Sequence, residues 1–188
     1  MIQGLLDPVR DILEILCTVS GKGVQAVRKP DLKSLARVRM AGPGSQAHVL
    51  FHRGDGDPLV NHVIANECGH LIRLFAAPPG RRRVAVANER TRSIYRGEIR
   101  EDIQRLSLIH GVGALGGFLP LWYESVVFQL TRMPPDIGIE RWIHRGYPGL
   151  REIQRMDLME QQAKAASVLS RGIRRMTPRK VYDVSQAM

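Results

Sequence analysis

Val60-Asn61-His62-Val63-Ile64-Ala65-Asn66-Glu67-Cys68-Gly69-His70-Leu71-Ile72-Arg73-Leu74-Phe75 is the stretch on which the reading of this chain turns. Its centre has the spacing of His-Glu-x-x-His, with Asn66 where the first histidine would stand. In the intact pattern two imidazoles lie four residues apart on one helical face and hold a metal, while the glutamate between them activates water. Asn66 replaces one of those imidazoles, so metal binding is the open question of the sequence.

The segment reads as a helix from Pro58 to Phe75. Asp57 is a suitable N-cap, Pro58 fits the first helical position, and Leu59, Val63, Leu71 and Leu74 follow a helical repeat. Asn66 and His70 then share a face, and Glu67 stands beside them as a general base would. A polar trio of this kind also describes the solvated face of an ordinary amphipathic helix. Gly69 and the flanking aliphatics favour burial instead, and burying Glu67 and His70 requires that they be paired or metal-bound.

Val63 to Arg73 resembles the active-site helix of zincin-like metallopeptidases, in particular the ImmA/IrrE-type proteins of bacteria and their phages. The resemblance implies a strand or hairpin before the helix, zinc as cofactor, and an acidic third ligand from a later helix. Ser34 to Met40 and Gln46 to His52 are two extended runs joined by Ala41-Gly42-Pro43-Gly44-Ser45, which suits a hairpin whose edge could pair with extended peptide. Met133-Pro134-Pro135-Asp136-Ile137-Gly138-Ile139-Glu140 opens a helix that puts Asp136 and Glu140 on one face, similar to the segment that completes the site in that family. Glu98, Glu101 and Asp102 are rival carboxylates, and an acid in a first helical turn also complements the helix dipole without any metal. The implied set is thus His70, Asn66, Glu140 and Asp136 at the metal and Glu67 as catalytic base. Asn66 offers zinc a weaker ligand than imidazole, His62 reaches in only if the helix bends, and a vacant site is the third possibility.

The remaining composition narrows the alternatives. With 188 residues, 44% hydrophobic and 5% aromatic, the chain suits one domain with a substantial core. Cys17 and Cys68 form no Cys-x-x-Cys motif, which points to reduced thiols and a cytoplasmic setting. Asp7, Arg10, Asp11 and Glu14 interrupt the first apolar residues, so Asp7 to about Val19 reads as an amphipathic helix and not a signal peptide. Leu106 to Tyr123 lacks Asp, Glu, Lys and Arg, but falls short of the roughly 20 residues of a membrane span. It reads as a helix end, a glycine-rich bend and the start of a helix from Leu121 to Leu130.

Lys and Arg number 28 against 18 Asp and Glu, a formal charge of +10, which attracts polyanions without specifying one. Arginines cluster over Arg81 to Arg100 and again over Arg171 to Lys180, where only Tyr95 and Tyr182 stand near for stacking. Nucleic acid is a partner the charge allows and the sparse aromatics disfavour. From Leu150 on, Ile153, Met156, Leu158, Met159 and Ala163 form an apolar stripe of the kind that faces a core or a partner.

The expected fold is α+β, mainly helical and zincin-like. A small sheet containing Arg37 to Met40 and His48 to His52 packs on the motif helix, in a single domain over residues 1–188 with a helical extension from about 150. The expected function is that of a metallopeptidase acting on a protein substrate, weakened by Asn66. The alternative is an inactive interaction protein on the same fold, using its cleft or basic surface.

Overall fold

The computed structural model describes residues 4–54, 56–84, 87–168 and 171–186. Among these, helix α1 (Asp7–Ser20) leads into strands β1 (Gly23–Arg28), β2 (Ala36–Arg39) and β3 (Ala47–His52), then helix α2 (Leu59–Ala76). Seven helices follow, beginning with α3 (Glu89–Glu98), α4 (Arg100–His110), α5 (Val112–Thr131), α6 (Met133–Gly146), α7 (Arg151–Val168) and α8 (Arg171–Met176). The last is α9 (Arg179–Gln186). The chain divides into two compact units, Met1–Arg83 with Asp136–Glu160, and Val84–Pro135 with Gln161–Met188. Helix α7 therefore contributes its first half to one unit and its second half to the other.

The fold is mainly helical with one three-stranded mixed sheet in the order β1-β3-β2. The expected hairpin is present: β2 pairs antiparallel with β3, from Ala36 opposite His52 to Arg39 opposite Val49. His48 helps to close it, since its Nδ1 accepts the Ala41 N–H at 3.1 Å while its ring stands edge-on to Phe75 of α2. Strand β1, parallel to β3, is not anticipated by the sequence reading. Its valines, Val24 and Val27, are three residues apart and so lack the alternation that marks a strand. Gly21, at φ 66°, turns the chain out of α1 into it.

The first unit is held by α1, β3, α2 and α6. Val9, Ile12 and Leu16 of α1 meet Leu50 of β3, Ile64, Ala65 and Cys68 of α2, and Ile139 and Ile143 of α6. Burying side chains of this size contributes about 1.5–3 kcal/mol each. The entry to α2 lies one residue later than expected, with Pro58 at the N-cap position and Leu59 first in the helix, and Asp57 Oδ1 accepts the Leu59 N–H at 2.9 Å. The buried stripe differs from the expected one. Val60, Ile64, Ala65 and Cys68 are buried, whereas Leu59, Val63, Leu71 and Leu74 are half-buried. Asn61 is buried beside them and ties α2 to α1, accepting the Leu6 N–H on Oδ1 at 2.9 Å. In these surroundings the Cys68 thiol is pushed up to about 12 by burial, so it packs as a small apolar group.

The second unit has its own core of Ile99, Leu106, Leu115, Trp122 and Val181. Asn88 and Thr91 form a capping box at the start of α3. The glycine-rich bend expected before Leu121 is confined to Gly111, at φ 82°, and helix α5 already starts at Val112 and runs through Pro120. Pro120 removes one N–H and crowds the carbonyl four residues earlier, yet α5 accommodates it, and no close contact requires glycine at Gly113, Gly116 or Gly117. Among the described residues no helix is long and apolar enough to cross a membrane.

Gly69 sets how near α6 comes to α2. A Cβ at this position would lie 2.5 Å from Ile139 Cγ2. Gly69→Ala is expected to destabilise the protein by about 1–3 kcal/mol through overpacking. In a thermal-melt double-mutant cycle, Gly69→Ala with Ile139→Ala should lose less than the two single changes added together, because the second removes the obstacle of the first. Additive losses would show that the two helices do not meet there.

Candidate functional site

Helices α2 and α6 meet through side chains spaced four apart on each and matched in opposite order. His70 Nε2 pairs with Asp136 Oδ1 at 2.5 Å, and Asn66 Nδ2 donates to Glu140 Oε1 at 2.7 Å. One turn further back, His62 Nε2 donates to Glu140 Oε2 at 2.9 Å and its Nδ1 to Asp157 Oδ2 of α7 at 2.6 Å. Gln154, also on α7, donates its Nε2 to Glu140 Oε2 at 2.6 Å and to the Glu140 carbonyl at 2.9 Å. Its Oε1 lies 3.2 Å from His144 Nδ1. One carboxylate, that of Glu140, thus joins three helices.

The electrostatics follow from this geometry. Only 1% of the His62 side chain is exposed. Burial alone would pull its pKa down, but the hydrogen bonds and charges of Asp157 and Glu140 outweigh burial and hold it at about 9. His62 is therefore an imidazolium at neutral pH, donating from both ring nitrogens. Burial would likewise raise Glu140, yet His62, Gln154 and Asn66 keep its carboxyl below the usual range. One imidazolium thus stands between two carboxyl groups.

Glu67 lies apart from this cluster. Its Oε2 accepts the Val38 N–H of the edge strand β2 at 3.3 Å. The structure thus brings His70 to Asp136 and Asn66 to Glu140, and sends Glu67 toward the sheet. The rival carboxylates belong to the second unit, where Glu98 pairs with Lys180 at 2.9 Å and Asp102 with Arg105 at 2.9 Å.

Zinc ligation requires about four donors converging on one point with their lone pairs free. Here both oxygens of Glu140 already accept hydrogen bonds, Asn66 turns its N–H toward that carboxylate, and His62 carries protons on both nitrogens. Only the His70–Asp136 pair is left. Among the described residues no group of three or more His, Cys, Asp or Glu is placed to hold a metal ion. The residues present do not fit a resident zinc.

Sequence reasoning missed Asp157 and Gln154 and weighed His62 only as a displaced ligand. The apolar stripe of α7 was the misleading signal. Met156 and Met159 are exposed, at 45% and 56%, while Gln154 and Asp157 are buried, at 3% and 7%. The two polar residues turn inward because Glu140 and His62 are there to satisfy them.

Comparison of the chain with protein-family models, with curated proteins and with solved structures gives no significant match in any of the three.

His62 titrates higher in the folded protein than the roughly 6.5 of a free imidazole, so its stabilising contribution is complete below that pH and is lost as pH rises through about 9. Glu140, held low, stabilises above the ordinary carboxylate range and ceases to do so as pH falls through its depressed value. His62→Leu would leave Glu140 and Asp157 without their shared cation and should cost on the order of 3–5 kcal/mol at pH 7. Thermal midpoints measured across the alkaline limb should fall for the wild type and stay flatter for His62→Leu. Parallel curves there would refute the imidazolium assignment.

Proposed function

We propose that this chain is a zincin-like protein whose motif helix serves as a metal-independent clamp between helices, and that it acts as a non-catalytic binding protein for a protein or peptide partner. The observation that carries this reading is the engagement of Glu140 by His62, Asn66 and Gln154. The acid that would complete a metal site is instead committed to holding α2, α6 and α7 together. Strand β2 supports the choice of partner, since it lies at an edge of the sheet, where an extended peptide can add by displacing Glu67 from the Val38 N–H.

A second reading, that of a metallopeptidase, is favoured by one observation. Glu67 accepts from Val38 on that same edge strand, and so stands where an extended substrate would lie.

Both readings are decided by zinc titration calorimetry together with cleavage of an unfolded protein substrate, on the wild type, Asn66→His and Glu67→Gln. The clamp reading expects no stoichiometric zinc and no cleavage in the wild type. It also expects no cleavage in Asn66→His, because His62 still occupies Glu140. Wild-type cleavage that is abolished by Glu67→Gln, with the thermal midpoint unchanged, would overturn the clamp reading in favour of the peptidase.

A further inference from the structure

In the second unit, α9 is moored to α4 by one carboxylate. Asp102 Oδ2 accepts the Arg179 N–H at 2.9 Å and Asp102 Oδ1 accepts from Arg105 at 2.9 Å. The corner they make with α8 opens into a groove of about 530 Å3, walled by Arg105, Arg174, Arg179, Tyr182, Asp102 and Asp183. That volume lies within the roughly 300–1,000 Å3 of ligand sites.

The groove has many more donors than acceptors. Each guanidinium presents five N–H groups and no acceptor. Of the two carboxylates, Asp102 already accepts from two donors. Asp183 is largely exposed and 3.6 Å from Arg179, a distance and setting that neutralise little. Arg174 lies over the Tyr182 ring at 5.5 Å from its centroid, which orients the plane of its fork. Arg174 pairs with no carboxylate among the described residues. What such a wall lacks is a compact group with several acceptor oxygens and negative charge.

We propose that this groove binds a phosphate group, with Arg174 and Arg179 as its principal ligands and Arg105, positioned by Asp102, as a third. Planar guanidinium forks match tetrahedral phosphate oxygens in paired hydrogen bonds, and arginine desolvates more readily than lysine in doing so. The phosphate is either that of a polynucleotide backbone or a free ion, and both present the same oxygens to the groove. The site is separate from the His62–Glu140 cluster, and its assignment does not depend on the reading given to that cluster.

The test uses the full chain and two probes. A labelled single-stranded oligonucleotide of about 20 nucleotides is titrated by fluorescence anisotropy at about 50 and 200 mM salt, and inorganic phosphate is titrated by calorimetry and as a competitor. Arg174→Glu with Arg179→Glu should weaken binding at least about tenfold and make the salt slope shallower by about one to two. Lys29→Glu with Lys33→Glu, exposed positions in the first unit, makes the same change in formal charge and should leave binding within about twofold. Phosphate binding that depends on Arg174 and Arg179, without oligonucleotide binding, would identify the free ion as the ligand. Equal weakening in both double variants would reduce the effect to net charge and overturn the proposal, as would failure of both probes to bind the wild type. Should the glutamate variant lose its native circular dichroism, Arg174→Gln with Arg179→Gln answers the same question and should weaken binding at least about threefold.

Discussion

A carboxylate placed beside an apolar core must be given positive charge and hydrogen-bond donors, or it will not stay ionised there. Glu140 imposes that requirement on the first unit, and His62, Asn66 and Gln154 meet it together, while His62 also donates to Asp157. The consequence reaches well beyond three side chains. Once His62 donates to two carboxylates on two different helices, the rotation of α6 and of α7 about their own axes is set, because any other face would leave a buried charge alone. Buried ion pairs of this kind add little net stability over well-packed hydrocarbon, and their attested use is to fix register. The close passage at Gly69 is the steric counterpart of the same registration.

Much of the first unit was legible because its signals are local. Asp57 and Pro58 mark the start of α2, Ala41 to Ser45 mark the turn between β2 and β3, and the prolines at 134 and 135 open α6. Each of these depends on backbone chemistry within a few residues. The four-residue spacing of Asp136 and Glu140 also held, since both reach α2 as their shared face requires. What escaped notice depends on partners far along the chain. Strand β1 is a strand because β3 pairs with it, and its own residues do not alternate. Gln154 and Asp157 are buried because Glu140 and His62 await them, against the pull of the methionines on the same helix. The glycines of α5 suggested a bend only because glycine permits one, and nothing in the fold requires it beyond Gly111.

The motif helix shows how one spacing serves two chemistries. Residues four apart on a helix bring side chains into line, and that line can converge on an ion or can interlock with a second helix. The outcome depends on what faces it. Opposite α2 stand two acids with the same spacing in reverse order, Asp136 and Glu140, so His70 pairs with one and Asn66 and His62 with the other, rather than all converging on one ion. Asn66 suits the second arrangement, since an amide donates to a carboxylate as readily as an imidazole does. The positive charge among these acids is a proton on His62, covalently held by the chain itself.

The arrangement also bears on the order in which the chain can fold. His62 and Asp157 are separated by 95 residues, and Asn66 and Glu140 by 74. Closing a loop of that length costs roughly 2 kcal/mol more entropy than closing one of ten residues. During synthesis α1, the sheet and α2 all emerge well before α6 and α7, so the first half of the unit must wait with its polar row facing water. The intervening helices cannot complete their own core meanwhile, because Val181 of α9 belongs to it and is made after α7. Completion of the first unit is therefore a late event, timed by the arrival of α7 more than by the intrinsic speed of the helices it joins.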